Sequence, residues 1–187
     1  MRTTTLTATA TTTATPATSR TEVAIPSKAG MPDFPDVDRF TEADVREYRT
    51  YSSYATTGLQ FVTPGGYRCL MWANRRATYS GVRCWGALPQ RGFNSVWAGG
   101  GAASFGNADL SRPETTYVYP GGPTGTVSPD AYKPLPSGMK LVEESVFPMQ
   151  CVVRDQLTAC RAKGFGAEPT QTTTHGFVLS PNGSWTF

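Results

Sequence analysis

The chain is short of three things: histidine, acid where its arginines cluster, and long apolar runs. It has a single histidine, His175, and no histidine–cysteine–carboxylate cluster, so neither a metal site nor a cofactor is expected. Its four cysteines form two close pairs, Cys69/Cys84 and Cys151/Cys160, and neither has the C-x₂₋₄-C spacing of structural zinc. No transmembrane segment is present in this sequence, and Arg2 is followed by threonines where a signal peptide would carry an apolar run of about 7–15 residues. Between Tyr67 and Gly92 there is no aspartate or glutamate.

That acid-free stretch holds what the chain has most of. The formal charge is only +3, yet Arg68, Arg75, Arg76, Arg83 and Arg91 fall inside the stretch and leave the remainder net negative. Charge concentrated in this way says more about partners than the modest total does. Tyr67 to Trp85 reads as two short apolar runs about a polar turn, a β-hairpin. If Cys69 faces Cys84, then Met71 faces Val82, Arg68 faces Trp85, Leu70 faces Arg83 and Trp72 faces Gly81. Alternation then puts Tyr67, Cys69, Met71, Val82 and Cys84 on one apolar side, which looks inward. Opposed residues of an antiparallel pair are close enough for a disulfide. A slip of one residue would undo the bridge and both faces together.

Four cysteines allow three connectivities, of which the hairpin favours the one made of two local bridges. Two local disulfides place the protein in an oxidising, extracytoplasmic compartment, secreted or envelope-associated, with the signal or anchor upstream of this chain. The rival is a cytosolic protein with four reduced thiols.

Residues 1–24 contain eleven threonines and no aromatic, a composition that cannot offset chain entropy by burial. This stretch fits an O-glycosylated stalk or a plain flexible tail equally. With Pro26, Pro32 and Pro35 it makes a disordered linker over 1–39, whose loss should cost little stability, ahead of one domain over 40–187. Thr41-Glu42-Ala43-Asp44 resembles a capping box, and Val45 and Tyr48 extend it into a short helix from Thr41 to about Thr50. From Leu59 onward the pattern is of strands: Leu59–Val62, the hairpin, Phe93–Ala98, Ala102–Phe105, Thr115–Tyr119, Met139–Glu143 and Val146–Val153. After a turn at Asp155-Gln156 come Leu157–Arg161, then Gly176–Leu179 and Ser184–Phe187 about Pro181-Asn182-Gly183. Pro120 to Pro136 is the least structured part. The fold expected is mainly β, a small antiparallel barrel or sandwich stapled by two local disulfides, with one N-terminal helix.

These motifs, in this order, resemble a small exported domain of unknown function found in mycobacteria and related actinobacteria. Phe61-Val62-Thr63-Pro64-Gly65-Gly66, Val82-Arg83-Cys84, Leu135-Pro136-Ser137-Gly138, Cys151, Cys160 and His175-Gly176-Phe177-Val178-Leu179-Ser180 carry the resemblance over residues 59–187. The family's additional central cysteine pair is absent, since this chain has Trp97-Ala98-Gly99-Gly100 there. The resemblance implies export and a compact disulfide-stapled β domain, and it carries no activity.

Two enzymatic readings arise. Ala102-Ala103-Ser104-Phe105-Gly106 is a loose relative of a nucleophile elbow, giving a serine hydrolase of Ser104 and His175 as the alternative function. No helix pattern follows Gly106, and His175 equally reads as an anchor for the final strand. Gly99-Gly100-Gly101 lacks the lysine and hydroxyl of a phosphate loop and reads as a turn. Asn182-Gly183-Ser184 is formally a glycosylation acceptor, fully explained by its turn.

The preferred function is a non-enzymatic module whose surface is the hairpin's outer face. Arg68, Trp72, Arg83 and Trp85, with Arg75 and Arg76 at the tip, combine positive charge and flat aromatic area. The partners that fit are an anionic envelope polymer, a lipid headgroup or an acidic protein. Nucleic acid uses the same chemistry but does not suit an exported protein. The same residues would also serve as hairpin scaffolding, with Trp72 and Trp85 under the helix.

Overall fold

A computed structural model of the chain describes residues 25–52, 55–111, 115–117, 125–144, 147–165 and 172–187. The strands in chain order are β1 (Thr41–Glu42), β2 (Arg49–Ser52), β3 (Thr56–Val62), β4 (Arg68–Asn74), β5 (Tyr79–Trp85), β6 (Ser95–Gly99), β7 (Ala102–Gly106) and β8 (Thr115–Tyr117). They continue with β9 (Gly125–Thr126), β10 (Lys133–Pro134), β11 (Met139–Glu143), β12 (Met149–Arg154), β13 (Leu157–Phe165), β14 (Thr172–Leu179) and β15 (Trp185–Thr186). Val118 and Tyr119, expected to extend β8, lie outside the described residues, as do Val146 and the first 24 residues of the linker.

Two sheets result. A hairpin sheet runs β10-β3-β4-β5-β6-β7, with β2 also on β3, and a C-terminal sheet runs β1-β11-β12-β13-β14-β15. Their inner faces meet in one core, with β13 and β14 stacked on β5 and β6. The architecture is two facing sheets and not a closed barrel. Most neighbours are antiparallel, while β1 with β11 and β10 with β3 are parallel.

The first hairpin has the register its cysteines demand: Arg68 faces Trp85, Cys69 faces Cys84, Leu70 faces Arg83, Met71 faces Val82 and Trp72 faces Gly81. Tyr67, Cys69, Met71, Val82 and Cys84 are all buried in the inter-sheet core. Asn74 closes the tip, its Oδ1 accepting from the N–H groups of Arg76 (3.0 Å) and Ala77 (2.9 Å). The second cysteine pair repeats the arrangement. Cys151 faces Cys160 across β12 and β13, turning at Asp155-Gln156, with Asp155 in the left-handed region. Both pairs are disulfides, Cys69–Cys84 and Cys151–Cys160, each pointing into the core from its own sheet.

The N-terminal helix is a correction. Thr41 does not cap; its N–H donates to Gly138 O at 3.0 Å, and Ala43 N–H donates to Lys140 O at 2.9 Å, so β1 joins the C-terminal sheet. At the other end Arg49–Ser52 pairs with β3 in the hairpin sheet. Between them only Val45–Glu47 makes a 3-10 turn, capped by Asp44. Pairing at both ends overrides local helix propensity, because the segment has to cross from one sheet to the other. Tyr48, expected on a helix stripe, is buried in the core at that crossing. Hydrogen bonds from the Arg46 side chain and backbone hold the Asp44 carboxyl down to a pKa of about 2. The cap's contribution is therefore complete above the ordinary aspartate pKa and fades as pH falls towards 2.

Residues 133–143 cross between the sheets in the same way. Leu135, in the stretch expected to be least structured, is fully buried in the core, and Tyr132 is buried on the hairpin sheet's outer side. Arg49 and Glu143, from the two crossings, form an ion pair at 3.6 Å.

The other surprise is N-terminal. Met31, Phe34 and Val37, read as linker, pack with Phe40 over Val152, Ala159, Val178 and Trp185 on the outer face of the C-terminal sheet. The Trp185 indole N–H donates to Pro32 O at 2.8 Å. The domain thus begins before Phe40, because an apolar outer face needs a cover.

One core group lacks a partner. Thr158, fully buried on the inner side of β13, carries among the described residues the one buried side-chain polar atom without a hydrogen bond. Replacing it with valine removes a desolvated hydroxyl at nearly constant shape. Thr158→Val is expected to stabilise by about 1 kcal/mol, read as a rise of a few degrees in melting temperature; a fall would mean that the hydroxyl is satisfied.

Candidate functional site

The outer face of the hairpin sheet is set by alternation. Since Leu59, Phe61, Met71, Val82, Val96 and Ala98 point inward, their neighbours Gly58, Gln60, Trp72, Gly81, Arg83 and Trp97 point out. Ladder registers line these up in two adjacent rows across the sheet. One row reads Tyr51, Gly58, Trp72, Gly81, Gly99 over β2 to β6. The next reads Gln60, Leu70, Arg83, Trp97, Ser104 over β3 to β7.

The first row alternates ring and glycine for a steric reason. A Cβ on Gly58 would sit 2.1 Å from Tyr51 Cε1, and one on Gly81 would sit 2.6 Å from Trp72 Cζ2. Each ring lies across the bare backbone of the next strand. Tyr79, diagonal to Trp72 with ring centroids 6.1 Å apart, does the same over Gly100, where a Cβ would be 3.0 Å from Cε2. Tyr51, Trp72 and Tyr79 are all half-buried, and Tyr51 and Trp72 also pack against the cluster of Leu70, Trp85 and Tyr132. Burial raises the Tyr79 phenol pKa, so the ring is neutral near pH 7.

The six residues named from the sequence separate into two groups. Arg68, Arg75 and Arg76 are exposed, Arg75 and Arg76 at the hairpin tip beyond Trp72 and Tyr79. Trp72 and Arg83 are half-buried; the Arg83 guanidinium stands 5.5 Å from the Trp85 ring centroid, and its Nε donates to Ser95 Oγ at 3.2 Å. Trp85 is buried, packed edge-on against Tyr132 at 6.0 Å. Its cover is the segment around Tyr132, not a helix. Behind it the Gln60 side-chain amide donates to the Tyr132 hydroxyl and its carbonyl oxygen accepts from the Thr50 hydroxyl. Trp85 is therefore scaffold, while Trp72 is only half-buried at the edge of the same cluster.

Three rings were missed by sequence reasoning: Tyr51, Tyr79 and Trp97. Trp97 was visible as the polar-side position of a Ser-Val-Trp-Ala strand, and it lies beside Arg83 in register. Tyr51 was hidden at the end of the expected helix. The acid-free region is also longer than the hairpin. From Tyr48 to Ala108 the chain has Arg49, Arg68, Arg75, Arg76, Arg83 and Arg91 and no aspartate or glutamate. Those residues build β2 through β7, so the strand residues facing outward there carry no negative charge.

Ser104 and His175 are not brought together. Ser104 lies on the outer face of the hairpin sheet, opposite Trp97. His175 lies in the C-terminal sheet opposite Ala162, a residue of the inter-sheet core. Its Nδ1 is 3.2 Å from Phe187 O, which can only accept, so Nδ1 donates there, and Nε2 lies 3.1 Å from the Thr173 hydroxyl oxygen. Nδ1 thus holds Phe187 against β14, and Nε2 is engaged by Thr173 of the same strand. Among the described residues no group of three or more histidine, cysteine and carboxylate side chains could hold a metal ion, and no helix is long and apolar enough to cross a membrane.

The chain matches no family model, no curated protein and no solved structure.

Proposed function

We propose that this is a non-enzymatic, extracytoplasmic binding domain that engages an anionic cell-envelope polymer through the outer face of its hairpin sheet. The observation that carries the reading is the acid-free run from Tyr48 to Ala108, which builds that sheet around six arginines. Strands without acids that present exposed arginines attract polyanions. Two disulfides fit an oxidising compartment, and the resemblance of the motif order to exported actinobacterial domains favours an envelope setting. Lipid headgroups and acidic proteins offer the same charge, but a polymer matches a face whose open arginines are spread from Arg68 to the tip.

Attraction between exposed charges is screened over about 10 Å at 0.1 M salt. Affinity for a soluble polyanion is therefore expected to fall about tenfold or more between about 0.03 and about 0.3 M salt. Arg75→Glu with Arg76→Glu should weaken binding at low salt by a similar factor without moving the melting temperature, since both side chains are exposed. Binding indifferent to salt and to the double reversal would reject the reading. Preference for anionic vesicles or an acidic protein over every polymer would move the partner to that class.

A further inference from the structure

We propose that the ligand of this face is an anionic polysaccharide, whose pyranose rings stack on the Tyr51–Trp72–Tyr79 strip while its carboxylates or phosphates meet the arginines beside it. This inference rests on the polyanion reading above and adds the chemical class of the polymer.

Charge alone does not account for the face. An arginine patch needs no aromatic rows, yet here one row sets rings against glycines so that Tyr51 and Trp72 reach over the bare backbone of neighbouring strands, with Tyr79 tilted 46° to Trp72. Gly81 and Gly99 are buried in that row. With strands about 4.8 Å apart, the row from Tyr51 to Gly99 extends about 19 Å. That length suits several consecutive sugars of an extended chain. The C–H groups on the flat side of a pyranose carry partial positive charge and meet the negative face of an aromatic ring. A phenol and an indole also offer polar edges for hydroxyl groups.

The arginines flank this strip on two sides. Arg75 and Arg76 extend past Trp72 and Tyr79 at the hairpin tip, and Arg83 stands in the adjacent row between Leu70 and Trp97. A chain laid along the rings thus has cations on both flanks and no outward-facing acid on the strands beneath it. Lipid headgroups would be served by the tip arginines and gain nothing from a row of rings seated on the sheet. Polyphosphate has the charge and no rings to stack.

The test is equilibrium binding of the purified chain to four probes: polygalacturonate, its neutral methyl ester, a phosphorylated mannan, and polyphosphate. Polygalacturonate or the phosphomannan is expected to bind about tenfold or more tighter than the ester, given the charge dependence above. Trp72→Ala and Tyr51→Ala should each cost that glycan about tenfold, near the effect of losing one stacked ring, and leave polyphosphate binding unchanged. Trp72→Tyr should restore most of the loss, and melting curves establish that each variant folds. Glycan binding untouched by Trp72→Ala and Tyr51→Ala but lost on Arg75/Arg76 reversal would overturn the inference and leave the polyanion reading standing. Polyphosphate or anionic vesicles bound in preference to both glycans would also overturn it. No salt-sensitive binding of any polyanion would overturn both.

Discussion

Replacing all four cysteines with alanine is expected to destabilise the domain by about 6 kcal/mol, a large part of the roughly 5–15 kcal/mol that holds a domain of this kind together. Each bridge closes a short loop, with cysteines 15 and 9 residues apart. Loop-closure entropy makes each bridge contribute about 3 kcal/mol in the chain-entropy account. The two staple different sheets, so their losses should add. Urea unfolding with and without the substitutions reads the effect as a drop in midpoint. Because all four cysteines are buried in the inter-sheet core, reductant should cleave the native bridges only as fast as the sandwich opens. An unchanged midpoint, or rapid reduction of the native protein, would mean that the sheets hold together without their staples.

The second large effect concerns the N-terminal strap. A chain beginning at Phe40 is expected to melt about 10 °C below one beginning at Ile25. It loses the packing of Met31, Phe34 and Val37 on Val178 and Trp185, and the Trp185–Pro32 hydrogen bond. Partly buried side chains of this size contribute about 1 kcal/mol each and the hydrogen bond about the same. At about 2–4 °C per kcal/mol for a chain of this size, the sum comes to about 10 °C. Arg161, whose guanidinium stands 5.4 Å from the Phe34 ring, would lose that contact too. Equal melting temperatures would return these residues to the linker that their prolines and acids imitate.

That strap shows where the sequence was readable. Local pairings were legible: two cysteines at hairpin spacing fixed the register of β4 and β5, and with it which residues are core. Asp155-Gln156 and Asn182-Gly183 marked their turns for similar local reasons. What was not legible depended on distant partners. Thr41–Thr50 looks helical until Gly138, Lys140 and Leu59 are brought alongside. Met31 and Phe34 look like linker until the outer face of the C-terminal sheet, itself made by residues more than 100 positions later, requires a cover. The candidate face divides in the same way. Arg68, Arg75, Arg76 and Trp72 followed from the hairpin alone, whereas the burial of Trp85 under Tyr132 and the recruitment of Tyr51 and Trp97 required the neighbouring strands.

The four tryptophans give the most direct reading of which surface is the binding one. Trp85 and Trp185 are buried on opposite outer faces, whereas Trp72 and Trp97 are half-open on the hairpin sheet. Titration with polygalacturonate, followed by the four indole N–H resonances in a proton–nitrogen correlation spectrum, reports on all of them at once. The account predicts that the Trp72 and Trp97 signals move with increasing polymer and return at high salt, while that of Trp185, donated to Pro32 O, stays fixed. Movement of Trp185 alone, or four unmoved signals under conditions where binding is measured, would place the partner elsewhere and contradict it.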